Sequence, residues 1–169
     1  MADPLAPSSS SPNLHVALVA PQIPWNTGNA GRTCLAVGAQ LHLVRPLGFS
    51  LEDRYLKRAG LDYWQHVRPR LWPSWADFEA ALADLGEPFF LSGEGQRDLW
   101  TSTLPSRLVL IFGSETTGLP VEVRRRYQDR LVAIPMQQGP VRSLNLSTSV
   151  AVAAYEARRR QYLAGRDQP

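Results

Sequence analysis

The residues best equipped for chemistry fall into four short segments, each following an apolar run. Pro24-Trp25-Asn26-Thr27-Gly28-Asn29-Ala30-Gly31-Arg32 follows Leu14 to Ala20, and Ser92-Gly93-Glu94-Gly95 follows Phe89-Phe90-Leu91. Gly113-Ser114-Glu115-Thr116-Thr117-Gly118 follows Leu108 to Phe112, while Pro135-Met136 and then Arg142-Ser143-Leu144-Asn145-Leu146-Ser147 follow Leu131 to Ile134. Glycine lets a backbone come close to a ligand, and the planar guanidinium suits phosphate and base edges. If the apolar runs are parallel strands, their carboxyl ends bring all four segments to one crevice, where open α/β sheets bind ligands.

Familiar phosphate and redox sites do not match. Gly113 to Gly118 has the glycine spacing of a Walker A loop, but Leu119-Pro120 stands where Lys-Ser/Thr is required, so the phosphates would lack their cation. Gly93-Glu94-Gly95 begins like a dinucleotide fingerprint, yet Asp98 takes the third glycine position. The histidines His15, His42 and His66 have no metal-ligand spacing and no partner cysteine, so no metal is expected. Cys34 shares an apolar helical face with Ala30 and Val37 and reads as core. On that helix Asn29 and Arg32 lie three apart and share the other face. They are either a polar pair aimed at the crevice, or a capping asparagine (Asn26 or Asn29) beside a surface arginine.

The elements that must position these segments follow from length and pattern. The chain of 169 residues, 44% hydrophobic and 20% charged, reads as one folded domain over 14–169. Residues 1–13, with Pro4, Pro7, Pro12 and a serine run, read as a disordered tail. Strands are expected at Leu14 to Ala20, Leu41 to Val44, Phe89 to Ser92, Leu108 to Phe112 and Leu131 to Ile134. They lack polar alternation, which implies burial on both faces and a largely parallel α/β sheet. Helices are expected near Gly28 to Val37, Leu51 to Arg58, Ser74 to Leu85, Val121 to Tyr127 and Asn145 to Leu163. The last carries two apolar stripes: Leu146, Val150, Ala153, Ala154 and Ala157, then Val152, Tyr155 and Tyr162. Two faces call for two partners, the sheet and either a second subunit or the rest of the same chain. Arg158, Arg159 and Arg160 near its end suit the negative pole of that helix.

No apolar run approaches the ~20 residues that span a bilayer, and the first residues lack the order of a signal peptide, so a cytoplasmic protein is expected. Net charge is +3 and the pI near 9.4, which permits nucleic acid as a partner. Lys57 is the sole lysine; arginine usage fits phosphate recognition and fits genome composition equally.

Taken together, Pro24 to Asn29 with Arg32-Thr33-Cys34, Leu56-Lys57-Arg58-Ala59-Gly60-Leu61-Asp62-Tyr63, Phe112 to Pro120, Ile134-Pro135-Met136 and Arg142 to Ser147 closely resemble the SPOUT class of S-adenosylmethionine-dependent RNA 2′-O-methyltransferases. The resemblance runs from about Leu14 to Leu163 and is to the small single-domain branch that methylates the ribose of the tRNA wobble nucleotide, cytidine or uridine. It implies a C-terminal deep trefoil knot, an exception to ordinary connection rules. It also implies an anticodon stem-loop as partner, while the second apolar stripe of the last helix, which a lone domain would expose, leads us to expect a homodimer.

By the same resemblance S-adenosyl-L-methionine is held by Leu91, Gly93, Gly113, Glu115, Ile134, Met136, Ser143, Leu144 and Asn145, and a side chain at Gly113 should collide with it. Arg32 matches the family's catalytic arginine, and Asn26, Asn29, Arg142 and Tyr155 fall at substrate positions. The chain departs from the usual pattern at Trp25, Leu144 and Thr148 and in its N-terminal tail; Trp25 could stack on a base or pack over its loop. Two rival readings remain: the same chemistry on ribosomal RNA or another tRNA site, and a non-catalytic knotted RNA-binding protein.

Overall fold

A computed structural model describes residues 13–51 and 63–166. The apolar runs form strands whose alternate side chains enter two cores. From β1 (Leu14–Val19), Leu14, Val16 and Leu18 join one core while Ala17 and Val19 join the other, the period of two that a pleated strand imposes. The further strands are β2 (Gln40–Val44), β3 (Arg70–Trp72), β4 (Glu87–Leu91), β5 (Arg97–Asp98), β6 (Leu108–Phe112) and β7 (Leu131–Ala133). They assemble in the order β3-β2-β1-β6-β4-β7-β5, with every pair parallel.

One face is covered by α1 (Pro24–Val37) and α6 (Leu146–Arg166), which pack on each other. Ala30, Cys34 and Val37 of α1 meet Val150, Ala153, Ala154 and Ala157 of α6 within one core. Small residues let the two helices approach closely. The short helix α2 (Trp64–Val67) packs beside α1, where a Cβ on Gly31 would come within 2.8 Å of the Trp64 ring. The other face carries α3 (Trp75–Ala80), α4 (Leu82–Leu85) and α5 (Val121–Arg126), with Phe78, Leu82, Leu85 and Val123 against the sheet. Burial of each such Leu or Phe contributes about 1.5–3 kcal/mol.

Several boundaries differ from the sequence expectation. Helix α1 begins at Pro24 rather than Gly28, because proline needs no N–H in the first turn. The strand expected to reach Ala20 ends at Val19, where Ala20 turns to φ +52. Ser74 caps a helix as its type suggests, accepting the Asp77 N–H, but the segment to Leu85 divides at Ala81 into two short helices. The edge strands β3 and β5 were not anticipated. The helix expected at Leu51 to Arg58 falls largely outside the described residues, as do residues 1–12 of the expected tail. Asn13 accepts hydrogen bonds at its carbonyl from Leu108 and at its side chain from Arg158.

None of the three arginines of α6 sits at the negative pole of that helix, which runs on to Arg166. Arg158 donates to the Val37 and Gly38 carbonyls, so it neutralises the negative pole of α1 rather than of its own helix. Arg160 ties the carbonyls of Leu99, Trp100 and Ser102, while Arg159 pairs with Glu156. Beneath the sheet, Trp72 Nε1 donates to His42 Nδ1 at 3.0 Å, which assigns the His42 proton to Nε2, 2.9 Å from His15 Nδ1. Burial first, then the neighbouring His15 and Arg70, pushes His42 down to about 3, so this ring is neutral packing rather than a base.

Candidate active site

Because all strands are parallel, the segments after β1, β4, β6 and β7 meet at one sheet edge. They enclose a cavity of about 560 Å³, within the range of small-molecule sites. Leu91, Gly93, Gly113, Glu115, Ile134, Met136, Ser143, Leu144 and Asn145 all line it, as do Asn26 and Arg142. Asn29, Arg32 and Tyr155 do not. Asn29 and Arg32 are both exposed on α1, and the Arg32 guanidinium lies 5.2 Å from the Tyr63 ring centroid, a cation–π contact. Tyr155 is 56% exposed on α6.

The loop after β6 is stiff. Ser114 and Gly118 exchange backbone hydrogen bonds of 3.0 Å in both directions, and the Ser114 and Thr117 hydroxyls lie 2.7 Å apart. Gly118 adopts φ +67, a conformation that favours glycine. A Cβ on Gly113 would stand 1.9 Å from the Gly118 carbonyl carbon, so the residue is glycine first because its own loop folds onto it. A side chain here would meet the chain itself, whatever ligand the cavity holds. Gly93 is the opposite case, lining the cavity with nothing within 4 Å of the point where a Cβ would stand.

Glu115 does more than border the cavity. One carboxylate oxygen accepts the Gln22 N–H at 2.8 Å; the other accepts the Ile23 N–H at 3.1 Å and Asn26 Nδ2 at 3.0 Å. Asn26, which is buried, in turn accepts from Asn145 Nδ2 at 3.0 Å. The Asn145 side-chain oxygen then accepts from the Ser147 N–H at 2.9 Å and its hydroxyl at 2.8 Å, capping α6. Asn26 is thus an interior bridge rather than a helix cap. The role of Glu115 had a signal in the sequence: α1 opens Ile23-Pro24-Trp25-Asn26, with no acidic residue in its first turn and no side-chain cap on Ile23. The lining by Ile23, Phe112, Leu119 and Ser149 had none, since it depends on the way the loops close.

The donor set fits S-adenosylmethionine. Leu91, Leu119 and Ile134 offer an apolar wall for an adenine, and open space beside Gly93 exposes backbone groups to a ribose or carboxylate. Cys34 is buried and its thiol is pushed up to about 12 by that burial, so it is no nucleophile. Among the described residues no group of His, Cys, Asp or Glu could hold a metal ion, and no helix is long and apolar enough to cross a membrane.

Known proteins share this sequence pattern and fold. Residues 13–155 match the SpoU rRNA Methylase family. The chain is 45% identical over 151 residues to the tRNA (cytidine(34)-2′-O)-methyltransferase of Methylovorus glucosotrophus, covering 89% of this chain and 97% of that one. A structure solved for insights into the 2-OH methylation of C/U34 on tRNA superposes with a TM-score of 0.81 at 49% identity, over 89% of this chain and 97% of the other. The AdoMet-bound rRNA methyltransferase from Sinorhizobium meliloti superposes with a TM-score of 0.70 at 31% identity, over 87% of this chain but 56% of that one.

Proposed function

The chain belongs to the SpoU rRNA methylase family, and we propose that within it this protein methylates the ribose 2′-hydroxyl of the tRNA wobble nucleotide, cytidine or uridine, using S-adenosylmethionine. The observation that carries the reading is the cavity lined by every candidate cofactor residue and joined through Asn26 to the helix that bears Arg32. Identity favours the wobble nucleotide over ribosomal RNA: the chain is 45% identical to the wobble relative but 31% identical to the rRNA methyltransferase.

When bound, S-adenosylmethionine supplies a methyl group already activated by its sulfonium. The chain's task is to place the acceptor hydroxyl and to balance the charge that develops as its proton leaves. Leu91, Gly93, Gly113, Ile134, Met136, Ser143 and Leu144 would hold the cofactor, and Arg142 and Asn29 would meet RNA, with Tyr155 reaching it from the edge of the junction between two copies. Guanidinium stays protonated in proteins, so Arg32 acts as a cation that grips the neighbouring phosphate or the forming alkoxide. The proton passes to water or phosphate.

The reading includes a trefoil knot, a homodimer and a cytoplasmic place of work. For the knot, β7 lies beyond β4 from β6, yet α6 returns to pack on α1, β1 and β6. The intervening residues must pass the Gly113 to Gly118 loop, and both segments line the cavity.

Arg32 provides the test. Arg32→Ala should lower single-turnover transfer to an anticodon stem-loop by about 100-fold or more, the scale of a lost charge-stabilising group, while calorimetric affinity for S-adenosylhomocysteine in EDTA stays near wild type. Arg32→Lys should also be poor, because ammonium lacks the planar fork. Wild-type rates in both variants would make Arg32 a surface residue, and absence of S-adenosylhomocysteine binding by the wild type would reject the enzyme.

A further inference from the structure

Helix α1 lacks an N-terminal anion of its own. It opens with Ile23, which caps with no side chain, and its first turn holds no acid. The first amides of a helix are orphan donors and its N-terminus carries partial positive charge. Glu115, far off in sequence, sets its carboxylate at that pole by accepting from the N–H of the cap residue Ile23 and of Gln22 before it. Its third bond comes from Asn26, and this fixes a direction. With Nδ2 turned to Glu115, the Asn26 side chain presents its oxygen to Asn145. Asn145 donates to it, and so turns its own oxygen to the first amides of α6. The result is a one-way relay from the head of α6 through Asn145 and Asn26 to Glu115 and the head of α1.

All three relay side chains line the cavity, whereas Arg32 and Asn29 lie outside it on the helix that the relay holds. We propose that Glu115 is a positioning residue that couples the two: the Glu115–Asn26–Asn145 relay makes occupation of the cavity and engagement of RNA by α1 mutually favourable. The inference rests on the proposed function. A ligand in the cavity restrains Glu115 and Asn145, which restrains α1 before RNA arrives, so RNA ordering that helix has less left to fix. By linkage the benefit is reciprocal.

The experiment measures calorimetric affinities of the full chain for S-adenosylhomocysteine and for an anticodon stem-loop, each alone and each in the presence of the other. Wild type should show each ligand tightening the other by about 5-fold or more, the usual lower range of such coupling. Asn26→Ala leaves Glu115 on the backbone amides and removes the bridge; whatever it does to the two separate affinities, it should lose the mutual gain, the ratio of each affinity with and without the other ligand. Glu115→Gln puts an amide donor against donors and should lose it too. The double variant Glu115→Gln/Asn26→Asp should restore part of it, since the introduced amide donates to the introduced carboxylate, which still accepts from Asn145, while the Ile23 N–H loses its acceptor.

Thermal melts accompany each variant, and Asn26→Ala decides the matter if Glu115→Gln does not fold. A brace with no coupling role predicts lower melting temperatures with unchanged mutual gain, and that result overturns the proposal. So does a wild type that binds both ligands independently, which leaves the proposed function standing. A wild type that binds neither ligand overturns both.

Discussion

Gly93 and Gly113 border the same cavity for different physical reasons, and the difference makes a clean probe. A Cβ at Gly93 meets nothing within 4 Å, whereas one at Gly113 would lie 1.9 Å from backbone. Gly93→Val should therefore fold with a melting temperature near wild type and bind S-adenosylhomocysteine about 10-fold or more weakly, a loss of about 1.4 kcal/mol. Gly113→Val should fail to fold, so it reports on the loop and not on the ligand. Wild-type affinity in folded Gly93→Val would place the cofactor elsewhere. At this scale the sequence was legible in residue types: the segments that line the cavity stand out as glycine and small polar runs after strands. It was silent on partnerships such as Glu115 with Asn26, because a hydrogen bond across 89 positions leaves no mark in local spacing. The arginines of α6 make the same point, since reading them against their own helix missed the α1 carbonyls that Arg158 holds.

Elements were legible where burial enforces a pattern. β6 runs from Leu108 to Phe112 as expected, because all five of its consecutive apolar residues are buried. β3 and β5 were not legible: three- and two-residue strands at the sheet margins carry too few side chains to show a period. Helix α6 was read as two-faced, and one stripe, including Val150, Ala153, Ala154 and Ala157, is buried. On the other, Tyr155 and Tyr162 are 56% and 41% exposed, an apolar surface that a second copy would cover. Light scattering at micromolar concentration should give about twice the 18.8 kDa of one chain, and Tyr155→Asp should shift the mass toward a single chain. A wild-type mass of one chain would reject the dimer.

For the molecule as a whole, the class of fold followed from unalternating strands, but the strand order β3-β2-β1-β6-β4-β7-β5 did not. Periodicity says which face a residue presents and nothing about which strand lies beside it. The return of α6 across β6 to α1, on which the proposed knot and the relay both depend, is a property of the assembled sheet. The sheet edge so built has one proposed task, delivery of a methyl group to one hydroxyl. Its sharpest check is single-turnover transfer of labelled methyl from S-adenosylmethionine to two anticodon stem-loops that differ only in ribose or 2′-deoxyribose at the wobble nucleotide. Label should appear on the ribose form, mapped to the wobble nucleotide, and not on the deoxy form; equal labelling of both, or label at any other nucleotide, would contradict that assignment.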